Sequence, residues 1–397
     1  MQNRNEGITL IALIITIIIL LILVGVSINL AIKGDLFGSA EKAVSGTNDK
    51  TAQEQTRVDE LMGELGRVEE QQRQDNLPGT RVTENTKYVS NGKTAWIPKG
   101  FTVSGIKSEQ SIDNGLVIYD IPEGITPDWT NPDSVKTKYN QFVWIPVEVK
   151  STDTENSIAS FYRSAWTANA STGGDRTTGL STSYTEPNST NDTADKTGIA
   201  GQIAELTKSI YKYGGFYIGR YEAGTAAPRT SGSSQTEEFV VQQDKYPYIY
   251  ITWGKSMSDV SEGAVYLCNN LYSSTNTNYG ATSMLCSGVS WDSMLDFVKD
   301  SSHSVTDSAT WGNYYNSETY KVYRGSLYSN SGWSTANTTT GTEVTKNSSV
   351  LLTTGATERN SSKNIYDVAG NCWERTTESD SSSYRVDRGR QLQPRWF

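Results

Sequence analysis

Asp367 and Glu374, seven residues apart in the run DVAGNCWE, carry the clearest chemistry in this 397-residue chain. They flank a Gly-Asn turn, so two carboxylates and the carbonyl oxygens between them can converge from one short loop. Hard oxygens in that arrangement suit calcium, which takes about six to eight of them. The same run also reads as a tight turn with Trp373 in the core and both acids in water, and spacing alone leaves the two readings open. One histidine, His303, and three cysteines offer little else. They exclude zinc clusters, Ser-His-Asp triads and Cys-His pairs as the basis of activity. Cys268, Cys286 and Cys372 show no CxxC spacing, and their odd number completes no disulfide framework. Cys268 and Cys286 lie beside apolar residues and read as small core side chains. His303, in KDSSHSVTD, reads as a surface residue.

Aromatic side chains form the second candidate set. Trp311, Tyr314, Tyr315 and Trp333 stand among Gly, Asn and Ser, where exposed rings could stack on sugars or anchor a protein ligand. They could equally roof the fold. Trp291 and Trp373 read as core. With 44 acidic against 35 basic side chains the net charge is -9, which provides no electrostatic footprint for a phosphate backbone and excludes nucleic acid as a partner.

These residues need a scaffold, and the chain falls into stretches of different composition. Ile8 to Ile32 holds no charged residue. As a helix, about 25 residues rise roughly 37 Å against a hydrocarbon core of ~30 Å, so the stretch can span a bilayer with some tilt. Arg4 and the amino terminus precede it, which predicts a cytoplasmic leader (1–7), a transmembrane helix (8–32) and an exported remainder, single-pass and displayed at the cell surface. Residues 33–77 turn polar but keep Val58, Leu61, Leu65 and Val68 at helical spacing, predicting an amphipathic stalk. Ten acids and five bases between Asp35 and Asp75 place most of the excess negative charge there. Leu77, Pro78 and Gly79 end the helix. Residues 80–138 read as a small strand-rich segment and 139–397 as an α+β head. Two Ser/Thr/Asn-rich stretches, 151–200 and 329–349, read as polar surface insertions.

The head MQNRNEG before the apolar run resembles the leader of type IV prepilins and pseudopilins. That resemblance implies cleavage by a prepilin peptidase between Gly7 and Ile8, with methylation of the new terminus. The glutamate usual five residues after the cut is here Ala12, which removes the carboxylate that would pair with a neighbouring subunit's amine.

Several segments of the remainder, in order, resemble the sulfatase-modifying-factor family, which contains the formylglycine-generating enzyme. They are FVWIPV at Phe142–Val147, GGFYIGRYEAG at Gly214–Gly224 with Glu222, and YIYITWGKSMSDVSEGAVYLCNNL at Tyr248–Leu271. SMLCSGVSWDSMLDFV at Ser283–Val298, WGN at Trp311–Asn313, NIYDVAGNCWER at Asn364–Arg375 and RVDRG at Arg385–Gly389 complete the series. The resemblance implies a C-type-lectin-like fold, rich in strands and loops. It also implies calcium held by the side chains of Asp367 and Glu374 and the carbonyls of Gly370 and Cys372. Catalysis in that family needs a second cysteine downstream of this motif. No cysteine follows Cys372, Arg375 replaces the motif's second tryptophan, and RQLQPRWF leaves the pattern as a truncation would. The expectation is a non-catalytic surface head that binds a glycan or protein ligand. The alternatives are a pseudopilin-like structural subunit, and an oxidase if Cys372 pairs in space with Cys286 or Cys268.

Overall fold

The computed structural model describes residues 40–178, 186–187, 198–256, 258–329, 332–348, 350–379 and 385–389. The expected leader, the Gly7–Ile8 cleavage position and the expected span at 8–32 lie outside these residues. Among the described residues no helix is long and apolar enough to cross a membrane. Contacts divide the chain into two units, Met1–Gln71 and Gln72–Phe397.

The first unit contains most of helix α1, Ala40–Asp75. The predicted stripe is present, but Val58, Leu61, Met62 and Val68 are exposed. Gly63 and Gly66 sit within the helix, where each costs about 1 kcal/mol relative to alanine.

The second unit mixes helices with many small antiparallel sheets. Strands β1 (Thr86–Ser90) and β2 (Lys93–Ile97) form a hairpin whose Asn91-Gly92 turn has both φ angles positive, as a two-residue hairpin requires. Its largest sheet has the order β3 (Thr102–Val103), β4 (Val117–Tyr119), β5 (Gln141–Pro146) and β8 (Gly215–Gly219). Side chains of a strand alternate between faces, and here both faces are covered. Val117, Tyr119, Val143 and Ile145 enter one hydrophobic cluster, while Ile118 and Trp144 enter another with Ile97 and Phe101. Burial on both faces is why FVWIPV is a nearly unbroken apolar run.

The expected division between 138 and 139 is not a structural one. Strand β4 pairs with β5 across it, through α2 (Pro132–Lys136), so residues 80–138 supply half of the main sheet. The polar stretches also hold regular structure. Strands β6 (Ala165–Thr167) and β7 (Asp175–Thr177) pair within 151–200. The 329–349 stretch takes part in two further pairings, Ser326–Ser329 with Gly332–Thr335 and Tyr320–Val322 with Thr342–Val344. Backbone hydrogen bonds hold these strands with few apolar side chains, which is why composition misread them.

Helix α3 (Ile199–Tyr213) buries Ile199 and Ile210 and stops at Gly214, whose φ of 77° and N–H bond to the Ile210 carbonyl form a left-handed C-terminal cap. Helix α4 (Gly263–Leu271) buries Val265 and Leu267. Helix α5 (Gly288–Val298) starts at Ser287, whose hydroxyl accepts the Ser290 N–H, and buries Trp291, Met294 and Val298 at spacings of three and four.

Ile145 has no exposed surface and Ile125 is about half exposed. Ile145→Ala should therefore cost about 2 to 5 kcal/mol in urea unfolding, whereas Ile125→Ala should change stability by less than about 0.5 kcal/mol. Equal effects would contradict the placement of β5 at the centre of the core.

Candidate functional site

Three of the separated sequence motifs meet at one buried asparagine. Val368 and Ala369 of DVAGNCWE are buried in the main core, and the loop they anchor carries Asn371 at zero exposure. Asn371 Nδ2 donates to Glu222 Oε2 at 2.7 Å, and its Oδ1 accepts from Asn313 Nδ2 at 3.0 Å. Glu222 comes from GRYEAG and Asn313 from WGN. The backbone repeats the link: Asn313 N–H donates to the Ala369 carbonyl at 2.8 Å and Asn371 N–H to the Asn313 carbonyl at 3.0 Å. Glu222 Oε1 also accepts the Cys372 N–H at 3.1 Å.

This close approach explains Gly370. Its φ is +95°, and an added Cβ would lie 2.2 Å from the Asn313 carbonyl oxygen. Asp367 and Asn371 also hold positive φ, 62° and 67°, a conformation Asp and Asn tolerate better than other residues with side chains.

Among the described residues, the acids around this node form no ion pair with a lysine or arginine. Burial pushes Glu222 well above the ordinary carboxylate range, and the neighbouring Asp367 charge adds to it. Burial raises Asp367 to about 7, although its Oδ2 accepts the Gly355 N–H at 2.7 Å. Burial, with Glu222 and Asp367 nearby, also raises Glu374 well above its usual range. Asp367 Oδ1 and Glu374 Oε2 are buried without a hydrogen-bond partner. Such oxygens are costly unless protonated or met by a cation.

Their hardness suits calcium, but among the described residues no group of three His, Cys, Asp or Glu side chains is placed to hold a metal ion. Glu374 Oε2 and the Cys372 carbonyl both lie beside Gly389, where an added Cβ would meet them at 2.3 and 3.4 Å.

The three thiols are free. Burial pushes Cys268 up to about 12 and Cys286 higher still, and burial together with Glu222 and Glu374 does the same to Cys372. All three therefore stay protonated at neutral pH, the state opposite to the one a nucleophile or metal ligand needs.

The aromatic candidates do not form one surface. Trp311 and Tyr314 belong to the core; Trp311 Nε1 donates to the Ser304 carbonyl, and the Tyr314 hydroxyl bonds Ser308 Oγ. Their polar neighbours build buried turns, not an exposed loop. Tyr315 is exposed, and Trp333 is half-buried with its ring against Tyr246 and Tyr328. Trp373, expected in the core, is half exposed, whereas Trp291 is buried as expected. His303 is partly covered and bonds Asp300.

A second charged cluster escaped sequence reasoning. Arg163 bridges Asp292 of α5 and Glu378, and Arg388 binds Glu378 with two nitrogens at 2.7 Å. Glu186 accepts from Thr377 Oγ1 and the Val289 N–H. These partners are 10 to 215 residues apart, and Glu186 sits in a Ser/Thr-rich stretch, so no spacing signalled them. A third, Glu109 with Arg220 at 2.8 Å, lies behind the main sheet.

Comparison of the chain with protein-family models, with curated proteins and with solved structures finds no match.

Two outcomes test this geometry. Gly370→Ala should lower unfolding free energy by at least about 2 kcal/mol, because the new Cβ collides with main chain at a left-handed position; an unchanged urea midpoint would contradict it. A carboxylate raised in the folded state favours folding while protonated, so its contribution holds below about pH 4 and is lost as pH rises through about 7 for Asp367. Relative to Asp367→Asn, the wild-type protein in chelator should lose stability across that window. A gain would reverse the assigned sign.

Proposed function

We propose that the chain is a membrane-anchored, exported protein whose head is a non-catalytic binding module of the sulfatase-modifying-factor type, with a C-type-lectin-like fold. The observation that carries this reading is the meeting of GRYEAG, WGN and DVAGNCWE at Asn371. Motifs that resemble one family only as separate strings become, in three dimensions, one node. That is the behaviour expected if the resemblance is structural and not an accident of composition.

Free thiols that their surroundings hold protonated favour binding over oxidase chemistry. Calcium is the cation this reading assigns to the loop, held by the side chains of Asp367 and Glu374 and the carbonyls of Gly370 and Cys372, where it would offset acids that share one buried region. Membrane anchoring rests on the uncharged run Ile8–Ile32. The exposed stripe Val58, Leu61 and Val68 supports a second reading, a pseudopilin-like subunit whose stalks associate.

Two measurements test these readings. Mass spectrometry of the mature N-terminus should find a chain beginning at Ile8; an intact Met1 removes prepilin processing and the pseudopilin reading with it. Calcium should raise the melting temperature of the protein at neutral pH by several degrees, about 1 to 3 kcal/mol of stabilisation at saturating ion, and Glu374→Gln should abolish the shift. Magnesium and calcium acting alike, or no shift, would remove the cation from the loop.

A further inference from the structure

Val58, Leu61, Met62 and Val68 of α1 are 39, 50, 64 and 56 % exposed, so the stripe that makes this helix amphipathic still meets water. A polar helix gains most of its stability by burying such a stripe, and Gly63 and Gly66 weaken this one further. The spacing says what kind of cover fits. Val58, Leu61, Leu65 and Val68 follow at intervals of three, four and three, the a and d positions of a heptad repeat. At about 100° per residue the four lie within roughly 80° of one another. Charged Arg57, Glu64 and Glu69 border them, with Met62 the apolar exception, and both glycines fall on the outer side. A helix that docks on a domain presents a broader apolar face; a seam this narrow suits a second helix.

The rest of the chain identifies the partner. The uncharged run Ile8–Ile32 ends shortly before Ala40, the first described residue of α1. As a membrane anchor, that run brings every copy of α1 out of one bilayer with the same polarity and at the same height. It also confines the copies to a plane, which raises their effective concentration. A seam of about two heptads is too short to hold a pair in dilute solution, so this confinement decides whether it closes.

We propose that α1 pairs with the α1 of a second copy of this chain, parallel and in register, through Val58, Leu61, Leu65 and Val68. In that register Glu64 of one helix flanks the seam opposite Glu69 of the other, a g-to-e contact between like charges. Their repulsion keeps the pair weak and reversible. An antiparallel pair would set Leu61 against Leu65 and would bring Glu69 opposite Gln55 instead. The pair depends on the membrane anchor, and it requires neither cleavage at Gly7 nor the calcium loop.

The test uses the full chain in lipid vesicles, oxidised and read as covalent dimer on non-reducing gels, with the wild-type chain and its three native cysteines as background. Leu61→Cys and Leu65→Cys should each give at least about fivefold more dimer than Glu60→Cys, which adjoins Leu61 in sequence but lies outside the seam. Adding Glu69→Lys to the Leu61→Cys chain makes the flanking pair attractive and should raise the yield roughly twofold, a gain that high salt removes. Equal yields at positions 60, 61 and 65, or no response to Glu69→Lys, would overturn the proposal. So would a size-tagged mixture of the Leu61→Cys and Leu65→Cys chains in which the mixed dimer exceeds both homodimers, the mark of an antiparallel pair. Flotation of the vesicles reads the anchor separately. Chain that floats without excess dimer removes the pair and leaves the anchor, whereas chain that fails to float removes both.

Discussion

The carboxamide of Asn371 is the constraint on which the head depends. Its Oδ1 accepts from Asn313 Nδ2 and the Leu352 N–H, and its Nδ2 donates to Glu222 Oε2 and the Leu352 carbonyl. Two donors and two lone pairs are the whole capacity of an amide, and all four are used. A buried network filled in this way specifies one arrangement, because any shift strands a polar group at about 1 to 3 kcal/mol each. Four segments distant in sequence are thereby fixed together: the turn after β8 that carries Glu222, the WGN turn, the strand Leu351–Leu352 and the DVAGNCWE loop.

The rest of the site follows from that closure. Once Glu222 is drawn in to serve Asn371 and Cys372, it stands near Asp367 and Glu374, and among the described residues no ion pair with an arginine or lysine offsets it. The chain does neutralise acids elsewhere. Glu378 and Asp292 share Arg163, and Glu109 faces Arg220 and Lys136. The contrast gives the Asn371 node its character: an enclosed group of acids, half committed to main-chain N–H groups and half unmet. Acids so placed are either protonated or paired with an incoming cation.

Legibility in the sequence divided along physical lines. The main strands were readable because burial on both faces leaves an apolar run, as in FVWIPV, and α1 was readable from Val58, Leu61, Leu65 and Val68 at helical spacing. The motif loop was readable because Gly370 and Asn371 mark a backbone that side chains elsewhere avoid. What failed were inferences from neighbours in sequence to exposure in space. Trp311 and Tyr314 sit among polar residues yet are buried, since those residues spend their hydrogen bonds inside the fold. Trp373 follows a buried loop and points outward. The Arg163, Asp292, Glu378 and Arg388 cluster was invisible, because long-range ion pairs leave no local period to detect.

Asn313 and Asn371 act energetically as one unit. A double-mutant cycle measures it directly, with Asn313→Ala, Asn371→Ala and the pair compared by urea unfolding. Strong coupling is expected, about 1 to 3 kcal/mol, since the first truncation already opens the network the second would open. Single effects that add within about 0.3 kcal/mol would contradict it.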